Sequence, residues 1–263
     1  MIKNINGKYI NIEGKYLYIE EKGKDFPVIL VHLAGFDSRI YHDASEYFPE
    51  KYKLIIVDLP GHGKSDPWEL QLKGYSNASV SFYSDIILKL ADALNLEKFV
   101  VVGTSIGGNI TLDIAIKANK KLIAGIAINC AGRTRTFSEE DIKNANPSDP
   151  LRTLFFAGPN ATKRLIEKLT WIRSMTRAEI FRWDLAAWNN FDVMDKLQLI
   201  ESPMLLVRGE FDPIVTQEMM RETANRIRNS EFKELQGVGH YVPAEAPEIF
   251  AKIVTEYLDK VRL

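Results

Sequence analysis

An α/β fold built on a mainly parallel sheet is what this sequence predicts, on three observations. Short β-branched runs alternate along the chain with longer helical patterns. The runs in the middle of the chain are apolar throughout instead of alternating, as strands covered by helices on both faces must be. The first two strand-like runs are joined around Gly14, which places a hairpin at the start of the sheet.

Residues 8–20 contain two short strands joined around Gly14, with apolar-polar alternation from Lys15 to Ile19. Further strands are predicted at Val28–His32, Leu54–Asp58, Phe99–Val102, Leu122–Asn129, Met204–Arg208 and Glu231–Leu235, giving eight in all. Amphipathic stretches at 78–94, 107–120, 216–229 and 246–260 supply the helices. The last has apolar residues at 249, 250, 253, 254, 257 and 258, a helical period.

Residues 133–195 break this rhythm. They hold no strand-like run, only helix-like pieces separated by Asn-Pro, Asp-Pro and Gly-Pro steps. Trp171, Trp183, Trp188, Phe155, Phe156, Phe181 and Phe191 all fall here. A helical insertion over the strand ends would wall an apolar pocket, with most of these rings packing the insertion's own core and a minority facing a ligand.

A chain of 263 residues suffices for one large α/β domain with an insertion. The formal charge of −1 gives no overall basic bias toward nucleic acid or a membrane surface. Cys130 is the sole cysteine, so no intrachain disulfide can form, and its place at the end of an apolar run reads as a buried thiol. No apolar run reaches the roughly 18 residues of a membrane span, and the first 21 residues lack the apolar core and cleavage site of a secretory signal. The expectation is a cytoplasmic protein, monomeric or homodimeric, with a small-molecule substrate.

The chemistry concentrates at Gly103-Thr104-Ser105-Ile106-Gly107, a Gly-x-Ser-x-Gly between a strand and a helical pattern. A tight strand-to-helix turn lifts a serine hydroxyl to its apex at strained backbone angles, and side chains two residues away on either side would collide. The competing reading is a glycine-rich turn whose serine merely caps the helix.

A serine hydroxyl is a weak nucleophile until a base takes its proton. Of four histidines, His32 ends a strand, His42 lies at a helix start, and His62 sits in the turn 59–63. His240, in the flexible-looking Gly237-Val238-Gly239-His240 loop after the last strand, is best placed to reach Ser105, whereas His32 and His62 read as structural. The imidazole needs a carboxylate to fix its tautomer and stabilise its transient charge. Asp212, followed by Pro213 just past Met204–Arg208, is the candidate, with Glu210 as the alternative.

The order Ser105, Asp212, His240, each after a successive strand, resembles the α/β-hydrolase superfamily. Asp58-Leu59-Pro60-Gly61-His62-Gly63-Lys64-Ser65-Asp66, Gly209-Glu210-Phe211-Asp212-Pro213, and Gly239-His240 followed by Glu245-Ala246-Pro247-Glu248 extend the likeness. They resemble its cap-bearing esterase, lactonase and cofactor-free haloperoxidase branch. The resemblance implies residues 1–132 and 196–263 as the hydrolase core and 133–195 as a helical cap.

It also implies an oxyanion hole made by the backbone N–H groups of Ala34 and Ile106. Here the sequence departs from the pattern: Leu33 stands where the family has glycine after His32, and a register shift at Gly35 would pass the donor role to a neighbour. The expected reaction is hydrolysis of small to medium acyl esters through an acyl-enzyme on Ser105, with neither cofactor nor metal. Lactone opening, C–C bond hydrolysis and perhydrolysis are alternatives on the same residues. Two further readings are a ligand receptor without turnover and, behind it, a cofactor-free lyase.

Overall fold

The computed structural model describes residues 5–118 and 120–261. The first four residues read for a signal segment and position 119 of the expected helix over 107–120 lie outside them, as do the last two positions of the expected core. Eight strands run β1 Asn6–Ile12, β2 Lys15–Lys22, β3 Phe26–Val31, β4 Tyr52–Val57, β5 Phe99–Thr104, β6 Leu122–Ile128, β7 Met204–Gly209 and β8 Ser230–Leu235. They form one sheet in the order β1-β2-β4-β3-β5-β6-β7-β8. The pairs involving β3 and β5 through β8 are parallel, while β1–β2 and β2–β4 are antiparallel. The predicted mostly parallel eight-stranded sheet with an opening hairpin is therefore the observed one.

Two short helices, α1 His42–Ser45 and α2 Glu69–Leu72, precede α3 Val80–Ala93 and α4 Ile106–Lys117. Between β6 and β7 come α5 Glu139–Lys143, α6 Pro150–Phe156, α7 Lys163–Ser174 and α8 Ala178–Asn189. Then follow α9 Gln217–Arg226, α10 Val242–Glu245 and α11 Pro247–Lys260. Among the described residues, no helix is long and apolar enough to cross a membrane.

The apolar strands feed two cores, one on each face of the sheet. Ile29, Val31, Ile55, Val57 and Val101 pack on one face with α3, α4 and α8. Val28, Leu30, Leu54, Ile56, Val100 and Val102 pack on the other with α11. Successive strand side chains point to opposite faces, so an unbroken apolar run is what a doubly covered strand requires. On α11, Phe250, Ala251, Val254, Tyr257 and Leu258 are buried, but Ile249 stays about half exposed at the edge of the apolar stripe.

Candidate active site

The turn after β5 holds Ser105 at φ 58°, ψ −124°, a left-handed conformation that a residue with a side chain adopts only when its surroundings impose it. Ser105 N–H donates to Ile128 O at 2.8 Å, tying the turn to β6, while Ser105 O accepts the N–H groups of Gly108 and Asn109 as α4 begins. The glycines on either side leave no room for a side chain. A Cβ on Gly103 would lie 1.9 Å from Gly107 O, and one on Gly107 would lie 2.2 Å from Val31 O. The Ser105 side chain makes no capping bond to α4. It lines a cavity instead, which removes the reading of this serine as a helix cap.

Asp212 follows β7 in a turn closed by its own N–H donating to Gly209 O at 3.0 Å. Its Oδ1 accepts the N–H groups of Ile214 and Val215, both at 3.0 Å. Its Oδ2 lies 2.7 Å from His240 Nδ1. Carboxylate and imidazole are both buried. With Nδ1–H donating to Asp212, the ring's Nε2 is left as its basic atom. Glu210, the alternative acid, accepts the N–H of Gly237 at 2.9 Å instead.

The loop carrying His240 reads from sequence as flexible, but it is tied on three sides. Glu245 accepts the N–H groups of Gly239 at 3.0 Å and Tyr241 at 2.9 Å, together with that of Gly158 from beyond α6 at 2.7 Å. His240 N–H donates to Phe156 O at 2.8 Å. Asn129, at φ 47° after β6, donates to Gly239 O and His240 O while accepting Gly209 N–H at 2.8 Å. One side chain thus ties together the loops that present Asp212 and His240. Asn129 reads from sequence only as the end of a strand, because the partners of its side chain lie 80 or more positions away.

The loop after β3 resolves the Leu33 departure. The left-handed residue is Gly35 at φ 72°, and Leu33 has no positive φ, so the loop needs no glycine at 33. Phe36 N–H donates to Leu33 O at 3.1 Å, closing the turn around Ala34. Thr176 Oγ1 donates to Gly35 O, and Gly35 N–H donates to Asp184 on α8. Ala34 lines the same cavity as Ser105, and among the described residues neither Ala34 N–H nor Ile106 N–H is bonded to a protein acceptor.

His32 and His62 sit behind this loop with ring centroids 4.8 Å apart. His32 Nδ1 donates to Leu33 O and Nε2 accepts Leu59 N–H, a pattern only the neutral ring can make. Burial, helped by the neighbouring His62, pushes its pKa down to about 3. Both His62 nitrogens face acceptors, Pro60 O at 3.1 Å and Asp184 Oδ2 at 2.8 Å, which is the pattern of the imidazolium. Burial alone would lower the His62 pKa, but the Asp184 carboxylate reverses that and raises it. His42 pairs with Glu20 on β2 at 2.6 Å and is not among the residues that line the cavity with Ser105.

Leu33, Phe36, Phe156, Phe181, Trp188 and Tyr241 supply much of the cavity's apolar wall. Trp183 and Phe191 pack in the core, whereas Trp171 and Phe155 are more than half exposed. Cys130 is fully buried, and burial pushes its thiol well above the ordinary range, as a packing residue. Two side chains in this wall were not singled out from sequence, Arg152 on α6 and Arg173 on α7. Arg173 is almost wholly buried and donates to the carbonyls of Pro147 and Asp149. Arg152 lies over the rings of Phe137, Phe156 and Phe181 at 5.0, 5.4 and 5.3 Å. Burial lowers both guanidinium pKa values, and the charge of Arg173 lowers that of Arg152 further.

The chain is similar to known proteins along most of its length. A family model described as alpha/beta hydrolase family matches residues 28–253. The chain is 23% identical over 253 residues to (E)-2-((N-methylformamido)methylene)succinate hydrolase of Acinetobacter baylyi, covering 91% of this chain and 92% of that one. It is 24% identical to 3-oxoadipate enol-lactonase 1 of the same organism, with 89% of each covered. Among solved structures, a thermophilic esterase from Thermogutta terrifontis superposes with a TM-score of 0.82 at 25% identity, covering 98% of this chain and all of that one. The family match runs from β3 into α11 and takes in Ser105, Asp212 and His240, and on that ground the chain belongs to the alpha/beta hydrolase family.

Proposed function

We propose that this hydrolase cleaves carboxylic esters of small to medium acyl chain through an acyl-enzyme on Ser105. The observation that carries the reading is the 2.7 Å contact of Asp212 with His240 Nδ1, in a site where His240 and the strained Ser105 line one apolar cavity. Ser105 Oγ attacks the ester carbonyl carbon while His240 Nε2 takes its proton. The oxyanion is received by the N–H groups of Ala34 and Ile106, at the positive end of α4. His240 then protonates the departing alkoxide. Water attacks the acyl carbon, gives its proton to Nε2, and Ser105 leaves with that proton as the carboxylic acid departs. Asp212 keeps Nδ1 protonated throughout and stabilises the imidazolium.

Residues 133–195 are the cap in this reading, contributing Phe137, Arg152, Phe156, Arg173, Phe181, Leu185 and Trp188 to the cavity wall. A second reading, lactone opening, is favoured by the enol-lactonase relative. It uses the same steps, with the leaving alcohol still attached to the acyl group.

Steady-state hydrolysis of p-nitrophenyl acetate, butyrate and octanoate by wild type and Ser105→Ala tests the proposal. Multiple turnover by wild type and a loss of about 10³-fold or more in the folded variant are expected. An active alanine variant overturns it.

A further inference from the structure

Beyond Ser105, His240 and Tyr241, the polar side chains lining the cavity are two guanidiniums, Arg152 and Arg173, and among the described residues neither has a carboxylate partner. Among the described residues, Arg152 joins no ion pair and donates no hydrogen bond; its only contacts of note are the three aromatic faces around it. Arg173 spends its donors on backbone carbonyls and, at 3.5 Å, the Tyr241 hydroxyl, which satisfies its N–H groups without neutralising its charge. Asp141 and Asp149 act on Arg152 only through space. Arg173 is buried without a counter-charge, which is costly, and the partly buried Arg152 adds like-charge repulsion to it. Packing does not require the arrangement, since a neutral side chain would fill the space beside Phe137, Phe156 and Phe181 without that cost. A ligand anion removes it.

Phe156 neighbours both this charge and His240. Its ring lies 5.4 Å from the Arg152 guanidinium and 5.3 Å from the His240 ring centroid. Arg173 meets the Tyr241 hydroxyl, one residue beyond His240. Ser105 and Arg152 line the same cavity, so one substrate within it can meet both.

We infer that the substrate carries a second, ionised carboxylate, which Arg152 receives as a two-pronged ion pair while the ester or lactone carbonyl lies at Ser105. This rests on the hydrolase reading above and narrows it to half-esters or lactone acids. Arg152 has the free planar fork that matches a carboxylate, whereas Arg173, anchored by the carbonyls of Pro147 and Asp149, contributes charge from a fixed place. The aromatic faces around Arg152 hold the fork in the cavity in the absence of ligand.

The test compares monomethyl succinate, glutarate and adipate with methyl butyrate, valerate and hexanoate, followed by acid release at constant pH. For wild type, kcat/KM for at least one half-ester is expected to exceed that for the neutral ester of equal chain length by tenfold or more. In Arg152→Gln that ratio falls toward one, chiefly through KM. In Arg152→Lys it is reduced but not abolished, because the charge remains and the fork does not; should the glutamine variant fail to fold, the lysine variant is read alone. A wild-type ratio at or below one, or a ratio unchanged in the variants, overturns the inference. Calorimetric titration with glutarate separates this failure from that of the hydrolase reading. If wild type hydrolyses no ester yet binds glutarate at least tenfold more tightly than Arg152→Gln does, the anion site stands and the reaction is another. If wild type does not bind glutarate, the site is refuted.

Discussion

The carboxylate of Asp184 accepts the backbone N–H of Gly35 at 2.8 Å, across 149 positions of sequence. The same carboxylate receives His62 Nε2 at 2.8 Å and the Tyr83 hydroxyl at 2.5 Å. One acidic side chain on α8 thus fixes the loop that presents Ala34 and neutralises the buried imidazolium beneath it. Asp184→Asn keeps the shape but removes the charge, and its amide cannot accept from all three donors. The expected outcome is a loss of about 3–5 kcal/mol in urea unfolding, the typical cost of stranding a buried charge. In the protein that remains folded, kcat on a p-nitrophenyl ester is expected to fall by up to about 10²-fold, with KM changing less, if the Ala34 N–H receives the oxyanion as proposed and loses its fixed direction. An unchanged kcat would show that the loop holds its shape without α8.

Asp212 and Glu210 stand two residues apart, yet only Asp212 meets the imidazole. Asp212→Asn is expected to lower kcat by about 10³–10⁴-fold at neutral pH, because an amide there stabilises neither the required tautomer nor the imidazolium. Glu210→Gln loosens the hold on Gly237 N–H and is expected to cost less than about tenfold. Stopped-time assays of both variants on one ester decide the assignment, and a reversed ranking would make Glu210 the functional acid.

His32 gives the stability of this protein an acid slope. Its folded pKa, about 3, lies below the unfolded value of about 6.5, so between these values the unfolded chain binds a proton that the folded one refuses. Stability therefore falls as pH drops below about 6.5, by about 1 kcal/mol per pH unit. His62 has the opposite sign: its raised pKa gives a contribution fully present below about 6.5 and lost as pH rises through its folded value, so it adds no slope in the acid window. Urea midpoints measured from pH 5 to 6.5 are expected to show the slope in wild type and a shallower one in His32→Gln. Equal slopes would mean that His32 takes up its proton in the folded state.

Much of the architecture is legible in the sequence because its signals are local. The unbroken apolar runs mark the covered strands, Gly103 and Gly107 mark the turn at Ser105, and Asp212 and His240 each follow a strand in a short turn-rich segment. Ends of elements are less so: α4 begins at Ile106 and α9 stops at Arg226, one residue earlier and three residues earlier than the periodicity suggests. The short helices α1 and α2 are too brief to show a period at all. Asn129, Asp184, Arg152 and Arg173 carry no local signal, for a different reason. An Asn at a strand end and an Asp or Arg on a helix are ordinary surface residues by type, and their significance comes only from what the fold sets against them. The supposed flexibility of the His240 loop misleads in the same way: its glycines suggest freedom, while Glu245 and Asn129 take it away.

The bond between Asp184 and Gly35 also bears on how such a fold can be remodelled. The helices between β6 and β7 are the segment one would exchange to give the molecule a new appetite, yet they supply an acceptor for the Gly35 N–H and, through the Phe156 carbonyl, one for the His240 N–H. A transplanted segment of perfect shape but lacking those two oxygens would deprive each loop of one of its ties, so the interchangeable unit is the helices together with their two anchoring oxygens.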